Sequence, residues 1–240
     1  MAVDYLAAIA SDTERMAVAG SISPSTMVPS CPEWDMAALC AHQGWVHRMA
    51  ALSTTSLDRP DFSQIPSAPP GHEVDYLREG VGPLIEALKA RPPDEPAWNF
   101  SGQNQVVGFW SRRQALETMV HRWDAERAIG RPSEFPAALA ADGVDEWFTA
   151  FAPRRLRGKN LSVIGGSIHI HCTDTEGEWT INIVDGAAQV ERGHSKGDVA
   201  ARGPAEALML LMWNRIGSDD PALEIFGDRS VLDRWLELLH

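Results

Sequence analysis

The hydrophobic pattern of this chain changes its period once, and that change limits the folds open to it. As far as Pro153 the apolar residues recur at helical spacing between proline-rich joints. Beyond it they alternate in twos, as strands with one buried face do. A helical run followed by a strand run predicts an α+β protein in two parts, a helical bundle over 1–153 and a smaller α/β domain over 154–240.

The helices are bounded by recognisable signals. Leu6, Ile9, Thr13, Met16 and Ala17 form an approximate stripe over 2–19. Three prolines in 20–34 prevent that helix from continuing. Asp35 is placed to cap a second helix running to about Ser53. A loop with Pro60, Pro66, Pro69 and Pro70 leads to a third helix over 73–91, weakened by Gly80, Gly82 and Pro83. After a loop over 92–108, a fourth helix covers 109–129 and stops at Gly130 and Pro132, and a fifth covers 136–151. Strands are expected at 161–164, 167–172, 178–184, 188–191, 198–202 and 223–226. A helix opens at Pro204 and runs to about Ile216, and Ser230 caps a last helix to Leu239.

A net charge of -12 argues against a nucleic-acid partner, since phosphate binding needs a basic surface. No stretch approaches the roughly 20 apolar residues of a membrane span, and the opening residues lack a signal-peptide pattern. Cys31, Cys40 and Cys172 are too few for a disulfide framework. These features together imply a cytoplasmic protein that does not engage membranes. Of nine tryptophans, Trp45 and Trp110 lie near the polar residues considered next and are candidates to wall a dry pocket.

Glu117 and His121 stand four residues apart in a stretch without Gly or Pro, so a helix presents both on one side, one turn apart. Spacing alone leaves two readings open, a solvated helix surface or half of a divalent-metal site. His42, on the second helix, is the plausible third donor; two histidines and a carboxylate suit zinc, nickel, iron or manganese. The same side of the fourth helix carries Arg113 and Asp124, the candidate catalytic residues, with Asp124 able to orient a ligand or act as a general base. His47, about 140° round the helix from His42, is not a ligand of the same ion but can line the pocket mouth. His169 and His171 share one side of a strand and, lacking a third ligand, read as an exposed surface. Arg48, Arg113, Arg122 and Arg127 are the arginines nearest these residues in sequence, and Arg202, Trp213 and Arg215 are candidates in the second part to contact a ligand or close a cleft between the two parts.

The segment 28–42, Val-Pro-Ser-Cys-Pro-Glu-Trp-Asp-Met-Ala-Ala-Leu-Cys-Ala-His, followed far downstream by Glu117-Thr-Met-Val-His-Arg-Trp-Asp-Ala-Glu126, resembles the mycothiol-dependent maleylpyruvate isomerase family. Segments 198–215 and 224–228 resemble the smaller sterol-carrier-like domain that often follows. The resemblance implies a DinB-like four-helix bundle in which His42, Glu117 and His121 hold a metal, usually zinc. It further implies mycothiol as thiol cosubstrate: the metal-bound thiolate adds to the cis double bond of an electrophilic small molecule, the new single bond rotates and the thiol leaves. The resemblance also implies transfer of the thiol to an electrophile, as other members do, as an alternative outcome. The alternatives are a thiol-independent metal enzyme of the same fold, acting as a Lewis acid or hydrolase, and a non-catalytic small-molecule binding protein. Either a monomer or a homodimer is compatible with the sequence.

Overall fold

The computed structural model describes residues 3–239 and divides into two compact units, 1–134 and 135–240. The first unit is built from α1 (Tyr5–Ile22), α2 (Met36–Thr54), α3 (Glu73–Lys89) and α4 (Val107–Ala128). All four pack on one another, most extensively α2 on α3 and α1 on α4. Asp4 caps α1 by accepting from the Ala7 amide at 3.0 Å, and Asp35 caps α2 through the Ala38 amide at 2.8 Å. The core between them includes Met16, Met36, Leu39, Cys40, Leu77 and Ala125, all fully buried.

Two features of this unit depart from the sequence pattern. The joint between α1 and α2 is a small hairpin of β1 (Met27–Val28) and β2 (Cys31–Asp35), paired antiparallel despite Pro32. Prolines end helices, but they are tolerated on the open edge of a two-stranded ribbon. Gly80 helps α3 rather than weakening it: a Cβ there would lie 3.1 Å from the Gly44 carbonyl and 2.6 Å from Arg48 Nη1. Opposite, a Cβ on Gly44 would meet Leu77 Cα at 3.0 Å, so the two glycines let α2 and α3 cross closely.

Helix α4 is polar in sequence and buried in fact. Gln114, Thr118, His121, Arg122, Asp124 and Glu126 lie inside with Trp110, Leu116, Met119 and Ala125. The polar groups are met by partners. Arg122 reaches Asp12 on α1 (3.2 Å) and Glu126 (3.1 Å), and Glu126 also takes Arg15 through two 2.8 Å hydrogen bonds. Buried ions are tolerated only when paired in this way.

In the second unit, α5 (Ala137–Glu146) continues through a π-helical turn (Trp147–Phe151) into α6 (Ala152–Arg155). Helix α5 packs against α7 (Ala205–Met212), so packing assigns it to the sheet-bearing unit although the hydrophobic period changes only after Pro153. The five-stranded sheet has the order β5-β4-β3-β6-β7, from β3 (Ile168–Cys172), β4 (Glu178–Val184), β5 (Ala187–Arg192), β6 (Val199–Gly203) and β7 (Glu224–Gly227). Its pairs are antiparallel except β3 with β6. Helices α7 and α8 (Arg229–Leu239) both pack on β3 and β6.

Segment 161–164 is not a strand. Leu161–Val163 forms a 3₁₀ turn in which Asn160 accepts from the Ser162 amide and hydroxyl, and burial of Leu161 and Ile164 at three-residue spacing suits that turn. Helix α7 stops at Met212 rather than Ile216. Asn214 takes the left-handed conformation (φ 57°) and the Arg215 amide returns to the Leu210 carbonyl at 2.8 Å, a Schellman ending. At α8 the capping carboxylate is Asp228, which accepts from the Ser230 amide at 3.0 Å. His169 is buried, 5 % exposed, and not part of an open strand surface. Among the described residues, no helix is long and apolar enough to cross a membrane.

Candidate functional site

Helices α2 and α4 bring His42, Glu117 and His121 together, with one donor atom of each inside a 4.8 Å span. Glu117 Oε1 is the shared point, 3.3 Å from His121 Nε2 and 3.7 Å from His42 Nε2. The four-residue spacing in α4 explains the Glu117–His121 pair; His42 arrives from the neighbouring helix, its ring edge-on to that of His121 at 5.2 Å.

Both candidate catalytic residues stand behind this trio. The Arg113 guanidinium donates to Glu117 Oε2 at 2.5 Å, leaving Oε1 to face the imidazoles. Asp124, fully buried, sits 2.9 Å from His121 Nδ1 and accepts from Ser30 Oγ at 2.6 Å. A carboxylate on Nδ1 fixes the tautomer and turns Nε2 outward, the usual support of a ligating histidine. Burial by itself would raise the Glu117 pKa, but Arg113, His121 and His42 hold its carboxyl well below the usual range. Burial likewise works against a charged His121, yet its bonds to Asp124 and Glu117 lift the imidazole to about 9.

The tryptophan at the site is Trp34, not Trp45 or Trp110. Its ring lies 4.6 Å from that of His42 and 6.3 Å from that of His121. Trp45 packs on Phe62, and Trp110 is fully buried among Trp98, Phe100 and Phe109. The hairpin between α1 and α2 therefore supplies two parts, Trp34 on β2 and Ser30 in its turn. Three prolines in this joint mark a break in helix, and nothing in their spacing signals the register that delivers these side chains.

His47 is fully buried rather than at a pocket mouth. Its Nε2 lies 2.9 Å from Gln43 Nε2 and 3.2 Å from Thr118 Oγ1, so the Gln43 amide donates to an unprotonated nitrogen. Burial first, and the nearby Arg48 charge second, push its pKa down to about 3. The other arginines have partners elsewhere. Arg48 lies over the Tyr76 ring at 3.6 Å, Arg122 is held by Asp12 and Glu126, and Arg127 lies 5.4 Å from the centre of the Trp123 ring. In the second unit, Arg202 pairs with Glu224 at 3.3 Å, Trp213 packs on Phe151 at 4.9 Å, and Arg215 donates to the Trp213 carbonyl. Cys40 and Cys172 are buried thiols, each pushed up to about 12 chiefly by desolvation, which keeps them protonated.

The geometry defines a class: a two-part α+β protein whose helical unit gathers two imidazoles and a carboxylate around one point. Family comparison narrows it. The mycothiol maleylpyruvate isomerase N-terminal domain matches residues 6–126 and the MDMPI C-terminal domain matches 138–234, so the chain belongs to the mycothiol maleylpyruvate isomerase family. Comparison with curated proteins and with solved structures finds no match.

Proposed function

We propose that the chain is a divalent-metal-dependent enzyme that uses a low-molecular-weight thiol, mycothiol in this family, to isomerise an electrophilic small molecule such as maleylpyruvate. The observation that carries the proposal is the convergence of His42, Glu117 and His121 inside 4.8 Å, with Asp124 behind one donor and Arg113 behind another. The donor set fits a zinc-class ion: two imidazole nitrogens and one carboxylate oxygen are its ordinary ligands, and three of them leave a coordination position open. When bound there, the ion would stabilise a thiol as its thiolate near neutral pH.

The chain's own residues prepare that site. Asp124 orients His121, Arg113 fixes the rotation of the Glu117 carboxylate, and the Trp34 ring packs against that of His42. Asp124 and Arg113 thus act as positioning residues. The chemistry needs no net proton. A thiolate adds to the cis double bond, the electron pair moves into the conjugated carbonyl, the single bond rotates, and the pair returns as the thiolate is expelled. Transfer of the thiol to a different electrophile would share the first half of this sequence. A reducing compartment such as the cytoplasm is the setting this chemistry needs.

The test is paired. Purified protein should hold zinc at the helical cluster and convert maleylpyruvate to its trans isomer only with mycothiol present. His42→Ala and Glu117→Ala should each lose that ion and the conversion. Turnover without thiol would favour a Lewis-acid or hydrolytic enzyme, and metal retained by both variants would sink the site.

A further inference from the structure

The sheet carries a second convergence of donors, outside everything described for the helical unit. His169 and His171 project from one side of β3, two residues apart. On β4, Glu178 stands directly across from His171 and Thr180 across from His169, so all four share that side. The chain leaves β5 at Arg192 and returns over the same surface, bringing His194 with it. One donor atom from each of His169, His171, Glu178 and His194 falls within a 4.8 Å span.

Glu178 is the centre. Its carboxylate oxygens lie 3.4 Å from His169 Nε2, 3.3 Å from His171 Nδ1 and 2.8 Å from His194 Nδ1. Ligands about 2.0–2.1 Å from a tetrahedral ion are separated by about 3.4 Å, so these spacings need little adjustment to close on one. His169 is the most telling member. It is buried, its Nδ1 lies 3.0 Å from Thr180 Oγ1, and its Nε2, buried as well, makes no hydrogen bond while aimed into the cluster. In the tautomer whose Nδ1–H donates to Thr180 Oγ1, the lone pair of Nε2 points at the space the other three donors face. This buried nitrogen faces the Glu178 carboxylate at 3.4 Å without a hydrogen bond, and a cation between them would satisfy both.

The backbone is shaped for this approach. A Cβ on Gly197 would lie 2.8 Å from the His169 amide nitrogen and 3.1 Å from its Cβ, so only glycine lets the returning segment pass so close. We propose that His169, His171, Glu178 and His194 form a second metal site, specific for a zinc-class divalent ion. Three imidazoles and one carboxylate make a closed four-ligand set, the pattern of a structural site with no position left for substrate. Its work is mechanical: the ion ties residues 193–198, the connection between β5 and β6, down onto the sheet.

The experiment counts zinc on the full-length chain after stripping with chelator and gel filtration, using competition with a chromophoric chelator. His171 is half-buried and His194 exposed, so the His171→Ala/His194→Ala double variant should fold; Glu178→Gln provides a second test of the same cluster. Expected are two tightly held ions in the native chain, with one lost in either sheet variant. The other should be lost in His42→Ala. Native-like zinc content in both sheet variants would overturn the second site. A native chain with one ion, lost only in His42→Ala, would overturn it too and leave the helical site standing. Loss confined to the sheet variants would support it even if the helical site failed. Zinc should also slow tryptic cleavage after the exposed Lys196 in the native chain and not in the double variant; cleavage at one rate with and without zinc would overturn the structural role.

Discussion

The two donor clusters use similar side chains on opposite kinds of scaffold. In the helical unit, His121 and Glu117 come from one helix at four-residue spacing and His42 from its neighbour. In the sheet unit, His169 and His171 come from one strand at two-residue spacing, Glu178 from its partner and His194 from a loop. The supports differ more than the donors. His121 is backed by a buried carboxylate, whereas His169 is backed by a hydroxyl. A carboxylate raises the basicity of the imidazole it holds; a hydroxyl mainly fixes its tautomer. Three donors at the helical trio would leave an ion one coordination position open, whereas the four of the sheet cluster would fill them all.

The largest effect expected of any single change is at the helical trio. Glu117→Gln keeps the shape and removes the charge, and should bring thiol-dependent turnover down to the uncatalysed rate, with bound zinc lost from that cluster alone. A variant that turns over normally would erase the distinction between the clusters. Next come the supports. Asp124→Asn should weaken zinc binding at the helical cluster by about 10–100-fold, and Thr180→Val should weaken the sheet cluster less, as chelator competition would measure. The reverse ranking would mean that the charge of the supporting group is not what separates them.

His47 gives the third prediction, on stability. Its folded pKa of about 3 lies below its ordinary value of 6.5. Its contribution is therefore complete above pH 6.5 and is lost as pH falls from there toward 3, by up to about 1.4 kcal/mol per pH unit. Urea denaturation at pH 7, 5.5 and 4.5 should show a shallower loss in His47→Gln than in the native chain; equal slopes would remove His47 as the cause. The smallest effects concern two glycines, one in each unit. Gly197→Ala should cost about 1–3 kcal/mol through the clash with His169. Gly82→Ala, in α3 with nothing within 4 Å of the new Cβ, should stabilise by roughly 0.5–1 kcal/mol. Thermal denaturation would reveal both, and a Gly197→Ala variant as stable as native would mean the returning segment is not tightly seated.

Those residues also mark where sequence reasoning reaches and where it stops. The Glu117–His121 pair could be seen because one helix carries both, and a helix has a fixed pitch. Asp35 as a cap and the paired histidines of β3 were equally local. Trp34 and Ser30 could not be seen, because their positions depend on the register of a hairpin only a few residues long. Glu178 and His194 were missed for the same kind of reason: the cluster exists only once β3, β4 and the loop after β5 are aligned. His169 then looked exposed, since alternation tells which residues share a side but not what covers that side. Segment 161–164 misled because alternation over four residues fits a 3₁₀ turn with an Asn before it as well as a strand.

Helix α4 carries a last consequence, for how this chain can vary. A helix on a protein surface ordinarily keeps one side on which substitutions drift at little cost. On α4, Arg122 and Glu126 are committed to α1, Asp124 to His121 and Ser30, Thr118 to Gln43, and Leu116, Met119 and Ala125 to apolar packing. Nearly every position through its middle answers to a different neighbour. A library of single substitutions along 113–126 should therefore yield few neutral variants on any side, and successful changes there should come as pairs, with the partner residue on α1, α2 or the hairpin changing too.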